Sequence, residues 1–214
     1  MYIYEKVDKA EIANKYELPD KFIFYPAQFW SHKNHRNLIK GFKLISDELP
    51  DLKLVLSGHR NHCYKEIRSL VLRLGLEKKV LFVGYVPNQD IRGFYENAVA
   101  MVIPSCCPIS IPLLEALVCG CPVAIADISF NKEQLGKAAL YFNPESVEEI
   151  ASTLVALNDE SVKKSLIKAG EVLQHKFSQE LFNTRFASIV ELVLTRKYGQ
   201  KKLNIKTKEI KLIR

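Results

Sequence analysis

The sequence predicts an α/β domain: a parallel sheet with helices on both faces, three closing helices and a basic tail. Three observations lead there. Short apolar runs alternate with stretches of helical periodicity between residues 21 and 142, and turn residues separate them. The strand-like runs KFIFYPA, LKLVLS and MVIP are apolar almost throughout, as in strands buried on both faces. Finally, 214 residues with 48% hydrophobic content suffice for one core of ordinary to large size.

The elements follow in order. Residues 9–16 read as a short helix ending in the turn Leu18-Pro19-Asp20, and residues 21–27 as the first strand. After FWSHKN, Leu38, Ile39, Phe42, Ile45 and Leu49 recur at helical spacing, and Pro50 closes that helix. Residues 52–57 form the second strand, ended by Gly58, and residues 64–74 a helix capped by Gly75. Residues 80–83 are the third strand, with Gly84-Tyr85-Val86-Pro87-Asn88 turning into a helix through residues 91–97. Residues 99–103 and 122–126 are the fourth and fifth strands. The helix between them carries Pro112 in its first turn and stops at Gly120. Residues 138–142 are the sixth strand; residues 145–157, 161–174 and 178–194 are the closing helices. Glu133 and Gly136 read as a helix end with Gly136 as its cap.

Composition narrows the function classes. The first residues, MYIYEKVDKAEI, are charged and unlike a leader peptide, and prolines interrupt the longest apolar region before it reaches membrane-span length. Five cysteines, an odd count mostly in apolar context, suit reduced thiols of a cytoplasmic protein. The net charge of +7 resides in residues 196–214, where eight Lys or Arg face one acidic residue, Glu209. Such a tail is a solvated extension or an anchor to anionic lipid on the inner membrane face. The formally neutral body, without aromatic–basic interleaving, argues against nucleic acid.

Between Met101 and Asp127 there is one charged side chain, Glu115, in apolar surroundings. A carboxylate there needs hydrogen-bond donors or a counter-charge. Loops and helix N-termini at the carboxyl ends of parallel strands are where open α/β sheets bind ligands, and Glu115 lies one turn into such a helix. Residue type alone favours a carboxylate that caps neighbouring backbone N–H groups. Lys33, between the first strand and the next helix, stands at the same edge. His32-x-x-His35 and His59-x-x-His62 (beside Cys63) have spacings that zinc sites use, but they follow different strands, and no metal is expected. Cys106 and Cys107 have no base placed beside them by motif and read as packing thiols. No G-x-G-x-x-G follows the first strand, which disfavours dinucleotide binding.

The segment PS-(loop)-IPLLEALVCGCPVAIAD resembles the donor-site signature of glycosyltransferase family 4, or group 1, of GT-B fold. That signature typically reads P-S-x-x-E-G-F-G-L-P-x-L-E-A-x-A-x-G-x-P-V, and PISIPLLE is closer to the bacterial variant G-P-T-N-I-P-P-L-E-A. The resemblance runs from about Tyr16 to Leu194. It implies the Rossmann-like C-terminal half of a GT-B fold: residues 1–20 a linker remnant, 21–195 a nucleotide-sugar-binding domain, 196–214 the tail. It further implies a retaining transferase that moves sugar from a UDP- or GDP-linked donor to a glycan or lipid-linked acceptor, in polysaccharide synthesis and without cofactor. The acceptor domain is expected on a separate polypeptide or lost by truncation. The alternative is a non-catalytic nucleotide-sugar-binding or regulatory subunit, or an inactive truncated enzyme. Sugar-nucleotide 2-epimerases of the same fold carry an acidic and histidine pattern that is lacking here.

The resemblance also assigns residues. The family's G-R-(about four residues)-K-(G or N) falls on Ala27-Gln28-Phe29-Trp30-Ser31-His32-Lys33-Asn34. Lys33 matches and is assigned the diphosphate; Gln28 replaces the arginine, a donor without charge, in a PAQFW-x-HKN variant that occurs in the family. Glu115 is assigned both ribose hydroxyls. Backbone N–H groups at Ser110, Ile111 and Leu113 add donors and helix dipole for the diphosphate. The base is placed at Gly84 to Pro87, with Gly84 and Val86 reading its edge. The family's first acidic residue falls on Cys107, Ser110 replaces a Gly or Asn, and the loop is one residue shorter, so sugar recognition departs from the pattern. Glu133 and Gly136 match an E-x-x-G. The final helix, residues 177–194, is expected to expose an apolar face.

Overall fold

A computed structural model describes residues 7–106, 111–174 and 179–198. The described strands are β1 (Phe22–Pro26), β2 (Lys53–Ser57), β3 (Val80–Gly84), β4 (Ala100–Ile103), β5 (Val123–Ala126) and β6 (Leu140–Phe142). All pair in parallel, in the order β3-β2-β1-β4-β5-β6. The helices are α1 (Lys9–Lys15), α2 (His35–Ile45), α3 (Tyr64–Arg73), α4 (Asn88–Asn97), α5 (Ile111–Val118), α6 (Ser129–Leu135), α7 (Val147–Ala156), α8 (Glu160–Gln174) and α9 (Gln179–Tyr198).

Every residue of β4 and β5 is buried, which accounts for their unbroken apolar sequence. The core is aromatic at its centre: Phe24 of β1 stacks on Phe94 at 5.0 Å and meets the edge of Tyr95 at 5.6 Å. From β1 the chain steps outward to β2 and β3, then returns to place β4 on the other side of β1. This reversal leaves a crevice above the carboxyl ends of β1 and β4.

Several boundaries differ from the sequence reading, and three have a visible cause or consequence. Helix α2 ends at Ile45, and Leu49 lies in the following turn. There the Ser46 hydroxyl donates to the Lys43 carbonyl, while the Lys79 ammonium takes the carbonyls of Ser46 and Pro50. Helix α6 is a full element although its sequence, SFNKEQL, is mostly polar; its buried Asn131 ties it to β5 by donating to the Ala126 carbonyl at 2.8 Å. Helix α9 runs four residues past the predicted end.

Helix α1 packs on α4 through a glycine. A Cβ on Gly93 would stand 2.6 Å from the Ile12 side chain, so only glycine permits this approach. The contact is pinned by Asp90, which accepts from the Lys15 ammonium at 2.8 Å and the Tyr16 hydroxyl at 2.6 Å. Burial pushes the Asp90 carboxyl up, but those hydrogen bonds and the Lys15 charge outweigh it and hold its pKa below the usual range.

Residues up to Gln174 form one compact unit, and α9 belongs to another. Taken by itself, α9 is a 20-residue helix with Phe182, Phe186, Ile189, Val190, Leu192 and Val193 exposed. Among the described residues no helix is long and apolar enough to cross a membrane. Cys107, Ser110 and residues 199–214 of the tail lie outside the described residues.

Candidate functional site

The crevice is built where β1 and β2 end. Ala27 still donates to the Ser57 carbonyl at 3.0 Å. The next residue on β2's side, Gly58, has φ +146°, and a Cβ there would lie 2.3 Å from the Ala27 oxygen. Only glycine lets the two strand exits close up at this point. The Gly58 N–H then donates to the Gly84 carbonyl at 2.8 Å, so the exits of three adjacent strands are tied together.

Beyond β1 a 3-10 turn (Ser31–Lys33) leads to Asn34, whose φ of +55° is left-handed, a conformation asparagine tolerates. Its side-chain amide donates to the Pro104 carbonyl at 3.1 Å and the Pro144 carbonyl at 2.7 Å. The Tyr25 hydroxyl donates to the Lys33 carbonyl at 2.8 Å. Lys33 is thereby seated on buried structure. It lines a cavity of about 380 Å³ together with Gln28, Trp30, His32, Ser105 and Pro112.

A second cavity, of about 330 Å³, adjoins it and is lined by Gly58, His59, Tyr85, Val86, Ile111 and Glu115, among others. Tyr85 stacks flat on His59, centroids 4.6 Å apart. Pro26, Ala27, Gln28 and Pro112 line both cavities. Lys33 and Glu115 therefore open from the same edge of the sheet into neighbouring hollows with a common wall.

Glu115 accepts a hydrogen bond from the Tyr95 hydroxyl at 2.9 Å. Burial, reinforced by the Glu115 charge, pushes the Tyr95 phenol well above its ordinary value, so tyrosine is the donor of this pair. Tyr95 lies on α4, and its ring is wedged against Phe24. The carboxylate is thus aimed by a hydroxyl that is itself held in the core.

The remaining sequence candidates fall as follows. Gln28 lines both cavities, Val86 and Ile111 the second. Gly84 is not among the lining residues; at φ +74° its role is to receive Gly58 and turn the chain toward Val86. His32 lines the first cavity, whereas His35 is buried between the rings of Tyr25 and Phe29. Among the described residues no three His, Cys, Asp or Glu side chains gather as a metal site would require. Cys63, Cys106, Cys119 and Cys121 are free thiols; burial pushes Cys119 up to about 11 and Cys121 higher still. Both stay protonated, which suits packing rather than nucleophilic attack.

Sequence reasoning missed Tyr95, Trp30, Asn61 and Asn34. Tyr95 looks like one more apolar position of its helix. Asn34 was matched only as the residue after a lysine. Trp30 and Asn61 come from loops after different strands, and no spacing within either loop announces that both donate to the side-chain oxygen of Gln28.

A doubly wound parallel sheet with its crevice at the reversal of strand order is that of the Rossmann-like α/β domains. Within that class the chain belongs to the glycosyl transferases group 1 family, whose model matches residues 8–172. It is 30% identical over 186 residues to O-antigen chain mannosyltransferase B of Escherichia coli, covering 85% of this chain and 49% of that protein. It superposes on Anabaena Alr3699/HepE, solved with UDP and glucose, with a TM-score of 0.75 and 19% identity, over 86% of this chain and 52% of the other. The C-terminal domain of the group 1 protein LpcC from Francisella tularensis matches with a TM-score of 0.69 and 21% identity, over 82% of this chain and 96% of that one. The chain spans about half the length of the curated relatives it matches.

Proposed function

We propose that this chain is the donor-binding part of a retaining glycosyltransferase, taking a UDP- or GDP-linked sugar and serving a glycan or lipid-linked acceptor. The mannosyltransferase named above favours mannose as the sugar. The observation that carries the reading is the pair of adjoining hollows, one with Lys33 and the other with Glu115, at the reversal point of the sheet. A nucleoside diphosphate fits that division. Its ribose hydroxyls would be taken by Glu115 while the base lies along Tyr85 and Val86. Its diphosphate would cross the common wall toward Lys33.

Each residue then has a task. Departure of a diphosphate builds negative charge, which Lys33 and the N-terminal N–H groups of α5 stabilise; Pro112 contributes none, so within the helix Ile111 and Leu113 do. Glu115, oriented by Tyr95, accepts from both ribose hydroxyls. Val86 and Ile111 close the second hollow over the nucleoside. Turnover requires a second domain to present the acceptor. The polypeptide that carries it, contact of the basic tail with anionic lipid, and operation without a metal all belong to this proposal. A non-catalytic nucleotide-binding role is favoured by two departures from the family pattern: Gln28 brings no charge to the position where the family has arginine, and Cys107 stands where the family's first acidic residue falls.

The test is titration of the chain with UDP and with GDP, repeated with Glu115→Ala. Loss of a bond to a charged group weakens binding by roughly 1.5–3 kcal/mol, about 10- to 150-fold. An affinity near that of the unaltered chain, with the fold intact, would take Glu115 out of the site.

A further inference from the structure

The wall between the two hollows contains a hydrogen-bond device at Gln28. The Trp30 indole Nε1 donates to Gln28 Oε1 at 3.0 Å, and the Asn61 Nδ2 donates to the same oxygen at 2.6 Å. An indole nitrogen is only ever a donor, so the amide atom that faces it must be oxygen. Two donors occupy both lone pairs of that oxygen. The NH2 group, carried on the other side of the planar amide, has no partner among the described residues, and Gln28 lines both hollows.

The frame around the amide is fixed. The Trp30 N–H closes back onto the Gln28 carbonyl at 2.8 Å, folding the tryptophan toward the glutamine. The Cys63 N–H donates to the Phe29 carbonyl at 3.3 Å, joining the loop that carries Asn61 to the one that carries Gln28. Phe29 between them is buried and packs against His35, Tyr64 and Phe82. Trp30 is 41% exposed, and the His62 ring meets it edge-on at 5.1 Å. An exposed glutamine would otherwise present oxygen or nitrogen to the crevice with similar ease.

The geometry points to Trp30 and Asn61 as positioning residues that lock the Gln28 amide, so that it offers N–H donors and never its oxygen to the phosphate oxygens of a nucleoside diphosphate. The inference rests on the donor-site reading above. It explains how a neutral side chain serves where the family has arginine: the lock excludes the orientation that would repel the anion.

The experiment compares UDP with uridine, and GDP with guanosine, by titration of the full chain and of Trp30→Phe, Gln28→Ala, the double variant and Gln28→Glu. Trp30→Phe keeps an aromatic ring but removes the donor. It is expected to lower the diphosphate affinity by about 3- to 10-fold, leave the nucleoside affinity unchanged, and add no further loss in the Gln28→Ala background. Gln28→Glu still accepts from Trp30 and Asn61 but turns a second anionic oxygen to the phosphates, so the diphosphate preference should collapse while the thermal midpoint holds. If Trp30→Phe leaves diphosphate binding unchanged, or weakens it equally with and without Gln28, the lock is overturned while the donor site stands. If the unaltered chain shows no preference for diphosphate over nucleoside, donor-site reading and lock fall together.

Discussion

His35 makes the stability of this domain depend on pH. It opens α2, two residues after Lys33, and is 2% exposed, its ring 4.8 Å from that of Tyr25 and 4.7 Å from that of Phe29. Neither ring nitrogen makes a well-formed hydrogen bond among the described residues, although the Ala27 carbonyl acts on the ring. Burial lowers its pKa from 6.5 to about 3, outweighing the opposing pull of the Ala27 carbonyl, and the Lys33 charge adds to the lowering. The unfolded chain takes up a proton near pH 6.5, whereas the folded one does not until about pH 3. Stability is therefore full above pH 6.5 and drains away as the pH falls toward 3. Between pH 7.5 and pH 5 the loss from this one ring is about 2 kcal/mol. For a body of this size that is about 4–8 °C in Tm. His35→Phe removes the titrating group and the two unpaired nitrogens while retaining the ring stack. Thermal unfolding of both proteins at pH 7.5 and pH 5 isolates the ring, because every other group titrates in both. The variant should lose less Tm than the parent by the stated amount. Parallel losses, or a His35 ring signal that titrates near 6.5 in the folded protein, would refute the reasoning.

Two further outcomes follow from the geometry. Tyr95→Phe should leave the fold intact but weaken UDP or GDP binding by about fivefold, since Glu115 loses the bond that aims it; discrimination against 2′-deoxy nucleotides should shrink in step, and titration with both sugar forms measures this. Gly58→Ala should destabilise the chain by about 2 kcal/mol or more, because its Cβ must displace the Ala27 carbonyl 2.3 Å away; an unchanged urea midpoint would show that the strand exits are free to part.

The parallel sheet was legible because β1, β2, β4 and β5 are apolar on both faces, a pattern short amphipathic helices do not produce. Helix α6 was read only by its last turn, since SFNKEQL buries Asn131 and Leu135 and little else. Leu49 fits the helical spacing of α2 and its N–H still donates to the Ile45 carbonyl at 2.9 Å, but the regular helix stops at Ile45, where the Ser46 N–H and hydroxyl both turn to the Lys43 carbonyl and the Lys79 ammonium takes the Ser46 carbonyl; no periodicity encodes a lysine from a distant turn. At the site, Lys33 and Glu115 could be found because the family motifs hold them at set places along the chain. Tyr95 could not, because its meeting with Glu115 depends on how α4 leans on α5. Gln28 was visible as an uncharged substitute, but the direction of its amide is decided by Trp30 and Asn61, which converge only after folding.

The amide of Asn34 bridges two proline carbonyls that lie far away along the chain, one just past β4 and one just past β6. The lysine beside it thus stands on two supports at once, the Tyr25 hydroxyl on its own carbonyl and, through its neighbour, those two loops. Redesigning this edge of the sheet therefore means changing Asn34, Pro104 and Pro144 as one unit.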